Sequence, residues 1–187
     1  MALYVNGKVS GGWSLLDNLD ASGNAPYVVG QDCFSSDYKN YKVIISDWQA
    51  NNKSHRMRVR TGAGTTEEDD YTWNIRYTYH NGYIGNHAGN NENASDHFRL
   101  GHSIEDQNAP NGSYGPGAFL EINFYDPLET SSFFACYWHG MTCGEYRWAY
   151  DSAGEGMWEQ TTAVTGLEFH YQDTTAGSGN FKLYGHL

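Results

Sequence analysis

Cations, cysteine, proline and long apolar runs are all scarce in this chain. Eleven Lys and Arg stand against 22 Asp and Glu, for a formal charge of −11 over 187 residues. Nucleic acid and anionic membrane select basic surfaces, so this balance argues against both as partners. The acidity serves solubility, with an acidic surface meeting a basic partner or cations as the alternative. No stretch approaches the roughly 18 apolar residues of a membrane span. The opening Met-Ala-Leu-Tyr-Val-Asn-Gly has neither the basic region nor the apolar run of a signal peptide. The expected site of synthesis is therefore a cytoplasm, without export by the usual route.

Three cysteines, an odd number, fit reduced thiols. A bridge between Cys136 and Cys143 across a hairpin is the minor alternative, and Cys33 reads as a small core residue. Signatures of chemistry are missing too. There is no G-x-S-x-G elbow, P-loop or Rossmann pattern. His80, His87, His97, His139 and Cys143 have no zinc-type spacing and read as surface or turn residues. Glu67-Glu68-Asp69-Asp70 is consecutive, whereas calcium loops alternate their ligands around a glycine. Neither metal nor cofactor is expected.

Aromatic bulk and turn residues are what the chain does have: six Trp, fifteen Tyr, eight Phe and 22 Gly. Aromatic side chains suit a pleated, half-buried surface, and Gly, Asn, Asp and Ser suit the turns between. Alternation of period two recurs along the chain. Tyr41, Val43 and Ile45 share a face, closed by Trp48; Met57 and Val59 alternate with Arg56, Arg58 and Arg60. Tyr71 to Tyr79, Leu120 to Phe124 and Tyr146 to Tyr150 behave alike, and residues 132–138 are apolar on both faces. The last of these suggests a central strand, or one covered by another subunit.

The connectors fall at 62–70, 81–96, 105–117, 126–131, 139–145 and 151–156. Near the end, Leu167, Phe169 and Tyr171 precede a polar turn and then Phe181 and Leu183, which reads as a closing hairpin. No linker divides the chain and no fixed repeat stands out. Residues 1–187 are expected to form one all-β domain, an antiparallel two-sheet β-sandwich of jelly-roll type with about eight to ten strands.

Two constellations bear on function. Glu121, Glu159 and Glu168 sit within strands, yet none has a second carboxylate two residues on, as paired-carboxylate glycosidases need. They read as solvent-facing strand residues, and catalysis is not expected. Trp138, Tyr146, Trp148, Tyr150 and Trp158 lie in consecutive segments. They could fill the core, bury against another subunit, or form an exposed platform for glycan stacking.

Several segments carry a family resemblance. Gly12-Trp13-Ser14-Leu15-Leu16 is followed by Phe34-Ser-Ser-Asp-Tyr38-Lys-Asn40-Tyr41-Lys-Val43-Ile-Ile45, then Met57-Arg58-Val59-Arg60. Phe119 to Pro127 follows, and the chain closes with Thr165-Gly166-Leu167-Glu168-Phe169 through Gly179-Asn180-Phe181-Lys182-Leu183-Tyr184-Gly185. This order resembles virion structural proteins of tailed bacteriophages, especially cyanophages. The resemblance covers most of the chain as strand spacing with few fixed residues. It implies a jelly-roll module on the virion surface: a capsid decoration or knob protein, a head fibre, or part of a tail fibre or baseplate. It brings no catalytic residues. Implied partners are the major capsid protein or other virion proteins, further copies in a homo-oligomer, and a host glycan. The long N-terminal stalk of tail-fibre members has no counterpart here, which favours the compact decoration subunit.

Overall fold

The computed structural model describes all residues except 1–3, 6–7, 10–11, 51–53, 63, 80–83, 90–94, 102–116, 144–148 and 172–175. Among the described residues there is no helix, and two antiparallel sheets face one another across a single core. Besides a two-stranded ladder of β1 (Tyr4–Val5) and β2 (Lys8–Val9), the strands are β3 (Ser14–Asn24), β4 (Tyr27–Val29), β5 (Asn40–Ala50), β6 (His55–Thr61), β7 (Thr65–Thr66), β8 (Tyr71–Tyr79) and β9 (Ile84–Gly89). They continue with β10 (Phe98–Arg99), β11 (Ala118–Tyr125), β12 (Phe134–Cys143), β13 (Ala149–Trp158), β14 (Val164–Tyr171) and β15 (Ala176–His186). The large sheet has the order β3-β15-β5-β11-β12-β13-β8-β9; the small one is β10-β6-β14-β4, with β7 paired to β6. The expected two-sheet β-sandwich is the observed architecture, with several extra strands only two residues long.

Alternation decides which side chains fill the core. In β6 the burial alternates strictly, with Met57 and Val59 inside and Arg56, Arg58 and Arg60 outside. In β11 Ala118, Leu120, Ile122 and Phe124 are buried. β5 breaks the period, since Ile45 and Trp48 are three apart and both are buried. Here Asp47 takes a positive φ of 54°, and the register with β11 shifts between Ala118 and Leu120. This bulge turns Trp48 back toward the core. Its ring then meets Phe169 of the small sheet at 5.7 Å and Phe181 of the large sheet at 5.4 Å, both edge-on. Phe98 makes a second tie between the sheets, 4.8 Å from Tyr71 and 6.3 Å from Trp138.

Several expectations need correction. Leu167–Tyr171 and Phe181–Leu183 do not form a hairpin. β14 lies between β6 and β4 in the small sheet, while β15 lies between β3 and β5 in the large one. Each strand buries its apolar row against the other across the core, where the Phe169 and Phe181 rings lie 5.2 Å apart.

Residues 151–156 are no connector but the middle of β13. Gly154 and Gly156 sit there because the core rings leave no space. A Cβ on Gly154 would lie 2.4 Å from the Trp138 ring, and one on Gly156 would lie 2.5 Å from Phe98. The 81–96 connector contains the edge strand β9. The 139–145 connector begins as strand, since β12 runs on to Cys143. Cys136, in line with the expected reduced thiols, is free and buried, and it shares β12 with Cys143. Seven steps along the strand separate their Cα atoms by about 23 Å, beyond disulfide reach.

Candidate functional site on the outer face of the large sheet

β12 occupies the middle of the large sheet, flanked by β11 and β13. Its inward residues Phe134, Cys136 and Trp138 are buried, and its outward residues Ala135, Tyr137, His139 and Met141 are exposed. The run that is apolar on both faces thus marks a central strand whose outward side chains stand exposed.

The outward residues form cross-strand rows. One row runs Phe119, Met141, Asp151, Thr78 and Ile84. Three of these five are exposed hydrophobics. A middle row, Ile44, Glu121, His139, Ala153 and Arg76, is mostly polar. Below it run Tyr184, Lys42, Asn123, Tyr137, Glu155 and Asn74. Tyr125, Ala135, Met157 and Thr72 follow at the same end of the strands.

Around these lower rows lies an open groove of about 1190 Å³. It reaches from His186 on β15 across β5, β11, β12 and β13 to Asn74 on β8. Tyr125 (62% exposed), Tyr137 (57%) and Trp13 (41%) present their rings there. Trp13 is held from two sides. The Lys42 ammonium sits 4.4 Å from its ring centroid, and the His186 ring is 5.2 Å away at a tilt of 51°. Asn123 Nδ2 donates to Glu121 Oε1 at 3.1 Å, and Thr72 Oγ1 donates to Glu159.

The aromatic residues singled out in the sequence behave otherwise. Trp138, Tyr150 and Trp158 are buried in the sandwich. Inward parity, not exposure, governs them, so they supply core volume and not a platform. Tyr146 and Trp148 lie outside the described residues. The rings that line the groove, Tyr125 and Tyr137, are each next in sequence to a buried core aromatic, Phe124 and Trp138. The signal was available in the double-faced apolarity of residues 132–138.

The carboxylates are scattered over both sheets. Glu121 is half-buried on the large sheet, with Lys42 Nζ 3.9 Å away. Glu168, expected to face solvent, is only 6% exposed on the small sheet. It is directly opposite Arg58 in the ladder, accepts from Thr66 Oγ1 at 2.7 Å, and lies 3.5 Å from Arg60 Nη1. Two arginines over a shallow sheet face cover it.

His97, expected at the surface, is also buried there. It contacts Asp96, which in turn pairs with Arg58. Burial, aided by Arg56, pushes the His97 pKa down to about 4. His170, whose ring lies 6.0 Å from that of His97, falls to about 4 through burial and then Arg58. Burial raises the Asp96 carboxyl, but His97 and Arg58 outweigh it and hold it at about 2.

Among the described residues no three His, Cys, Asp or Glu side chains gather to hold one metal ion. The side chains of His80 and His87 lie outside the described residues. No family model, curated protein or solved structure matches this chain.

Proposed function

We propose that this chain is a non-enzymatic structural protein of a bacteriophage virion, a knob-like capsid decoration protein attached to the head surface. It is made in the cytoplasm of the bacterial host and acts by binding alone, as a homo-oligomer on the major capsid protein. The observation that carries this reading is the upper row of the large sheet, where Phe119, Met141 and Ile84 stand exposed although the core is closed without them. Isolated exposed hydrophobics need no explanation, but Phe119 and Met141 are direct cross-strand neighbours, with Ile84 further along the row beyond Asp151 and Thr78, and such an exposed pair supports a surface that another protein covers. The segments that resemble phage virion proteins supply the biological setting. An interface of about 800 Å² per subunit suffices for stable attachment, and repetition over a symmetric shell multiplies it through avidity.

The test uses particles of the phage that encodes the chain, with heads and tails separated before quantitative mass spectrometry. Decoration requires the protein on heads. It also requires purified protein to rebind heads that lack it, and a Phe119→Lys, Met141→Lys double variant to fail. Recovery with tails transfers the assignment to a tail-fibre or baseplate component, and absence from both ends the virion reading.

A further inference from the structure

The groove at the lower end of the large sheet is separate from the apolar upper row, with the polar middle row between them. Its lining follows a different logic. Rings of Trp13, Tyr125 and Tyr137 alternate with the amides of Asn74 and Asn123 and the carboxylate of Glu155. Protein interfaces exclude charge from their centres and favour Met and Arg around the aromatics. Here a carboxylate and amides lie directly beside the central ring, since Glu155 and Asn123 both flank Tyr137 in the ladder. A sugar ring matches both kinds of group. Its C–H face is apolar and weakly positive, suited to the negative face of an aromatic ring, while its hydroxyls both donate and accept.

The span and charge of the groove narrow the class further. From β15 to β8 it crosses five inter-strand steps, a floor about 24 Å long at roughly 4.8 Å per step. That length fits a chain of several sugar units better than one. Among the described residues Glu155 is the one carboxylate on the lining, in a chain of net charge −11, and Lys42 at the rim is engaged by Trp13 and Glu121. An anionic saccharide would meet repulsion, and the described lining residues include no Lys or Arg to offset it.

We infer that this groove binds a neutral oligosaccharide laid across the strands, with one sugar ring stacked on Tyr137, a second on Tyr125, and Trp13 closing one end. Asn74, Asn123 and Glu155 bond the hydroxyls. The inference does not depend on attachment to a capsid, since it uses the other end of the face.

The experiment screens the full chain on an array of defined neutral and anionic oligosaccharides. The best-bound free oligosaccharide is then titrated by calorimetry against wild type, Tyr137→Ala, Tyr137→Phe and Asn74→Ala, with each variant's melting curve recorded. The expected result is binding of a neutral chain, weakened at least tenfold by Tyr137→Ala and severalfold by Asn74→Ala. Tyr137→Phe, which keeps the ring, retains affinity near that of wild type. Failure to bind any neutral oligosaccharide, preference for an anionic one, or equal affinity in wild type and Tyr137→Ala would each overturn it. Occupation of the groove by a second copy, seen as oligomers lost in Tyr137→Ala without sugar binding, would overturn it as well.

Discussion

On the small sheet the outward arginines of β6 meet a buried carboxylate of β14. Arg58 and Arg60 lie over Glu168, and Arg58 also reaches Glu68 and Asp96. On the large sheet the outward residues of β11 and β12 are mixed, and the apolar ones among them, Phe119, Tyr125, Tyr137 and Met141, are left open to water. Both faces come from the same period-two pattern. The difference teaches that an outward position gains its meaning from its cross-strand neighbours. A charged row with complementary partners closes a surface, whereas an apolar row with none leaves it available to a ligand or another protein.

Acid should break this contrast most severely. His55, His97 and His170 are held near a pKa of about 4 by burial, which for His97 and His170 adds to nearby arginine charge. Their ordinary value is about 6.5. The unfolded chain therefore binds more protons between these values, and stability must rise with pH across that window. Present in full above about pH 6.5, this stabilisation is lost as pH falls toward 4. Denaturant unfolding at pH 7, 5.5 and 4.5 should show a steep, progressive decline. His170→Gln should flatten it, and an unchanged midpoint at pH 4.5 would contradict the buried, neutral histidines.

Next in size is Glu168→Ala. It leaves Arg58 and Arg60 without their buried carboxylate, and removing one partner of such a group costs about 3 kcal/mol. The same change at Glu155, exposed on the large sheet, should stay within about 0.5 kcal/mol of wild type. Equal effects in urea titrations of the two variants would erase the distinction between the faces.

The smallest stability effect is expected from Tyr137→Ala and from the Phe119→Lys, Met141→Lys pair. All three side chains are exposed, so unfolding should shift by less than about 1 kcal/mol. Their consequences belong to binding: saccharide affinity for the first, particle attachment for the second. A large loss of stability in either would recast that row as structural.

Much of the sandwich was legible in advance, strand by strand. The alternation in Met57–Val59 and in Leu120–Phe124 names both the strand and its buried face, because a strand with one wet side has no other way to order its residues. Less legible were places where a core ring dictates its neighbour. Gly154 and Gly156 look like turn residues locally, and only the Trp138 and Phe98 rings explain them as strand. The groove was hidden for a related reason. Tryptophan draws attention as a binding residue, yet Trp138 and Trp158 point inward, and their smaller outward neighbours line the open surface.

The closing segments show where local pattern ends. Composition and alternation by themselves determined that Leu167–Tyr171 and Phe181–Leu183 are strands, each with one buried face, in an all-β chain with little positive charge. Which sheet each joins was decided only in three dimensions. The ladder sets Glu168 opposite Arg58 in the small sheet and Leu183 opposite Val43 in the large one. Period-two alternation specifies a face but carries no address for a partner strand. That address comes from cross-strand charge and ring packing between segments far apart in sequence.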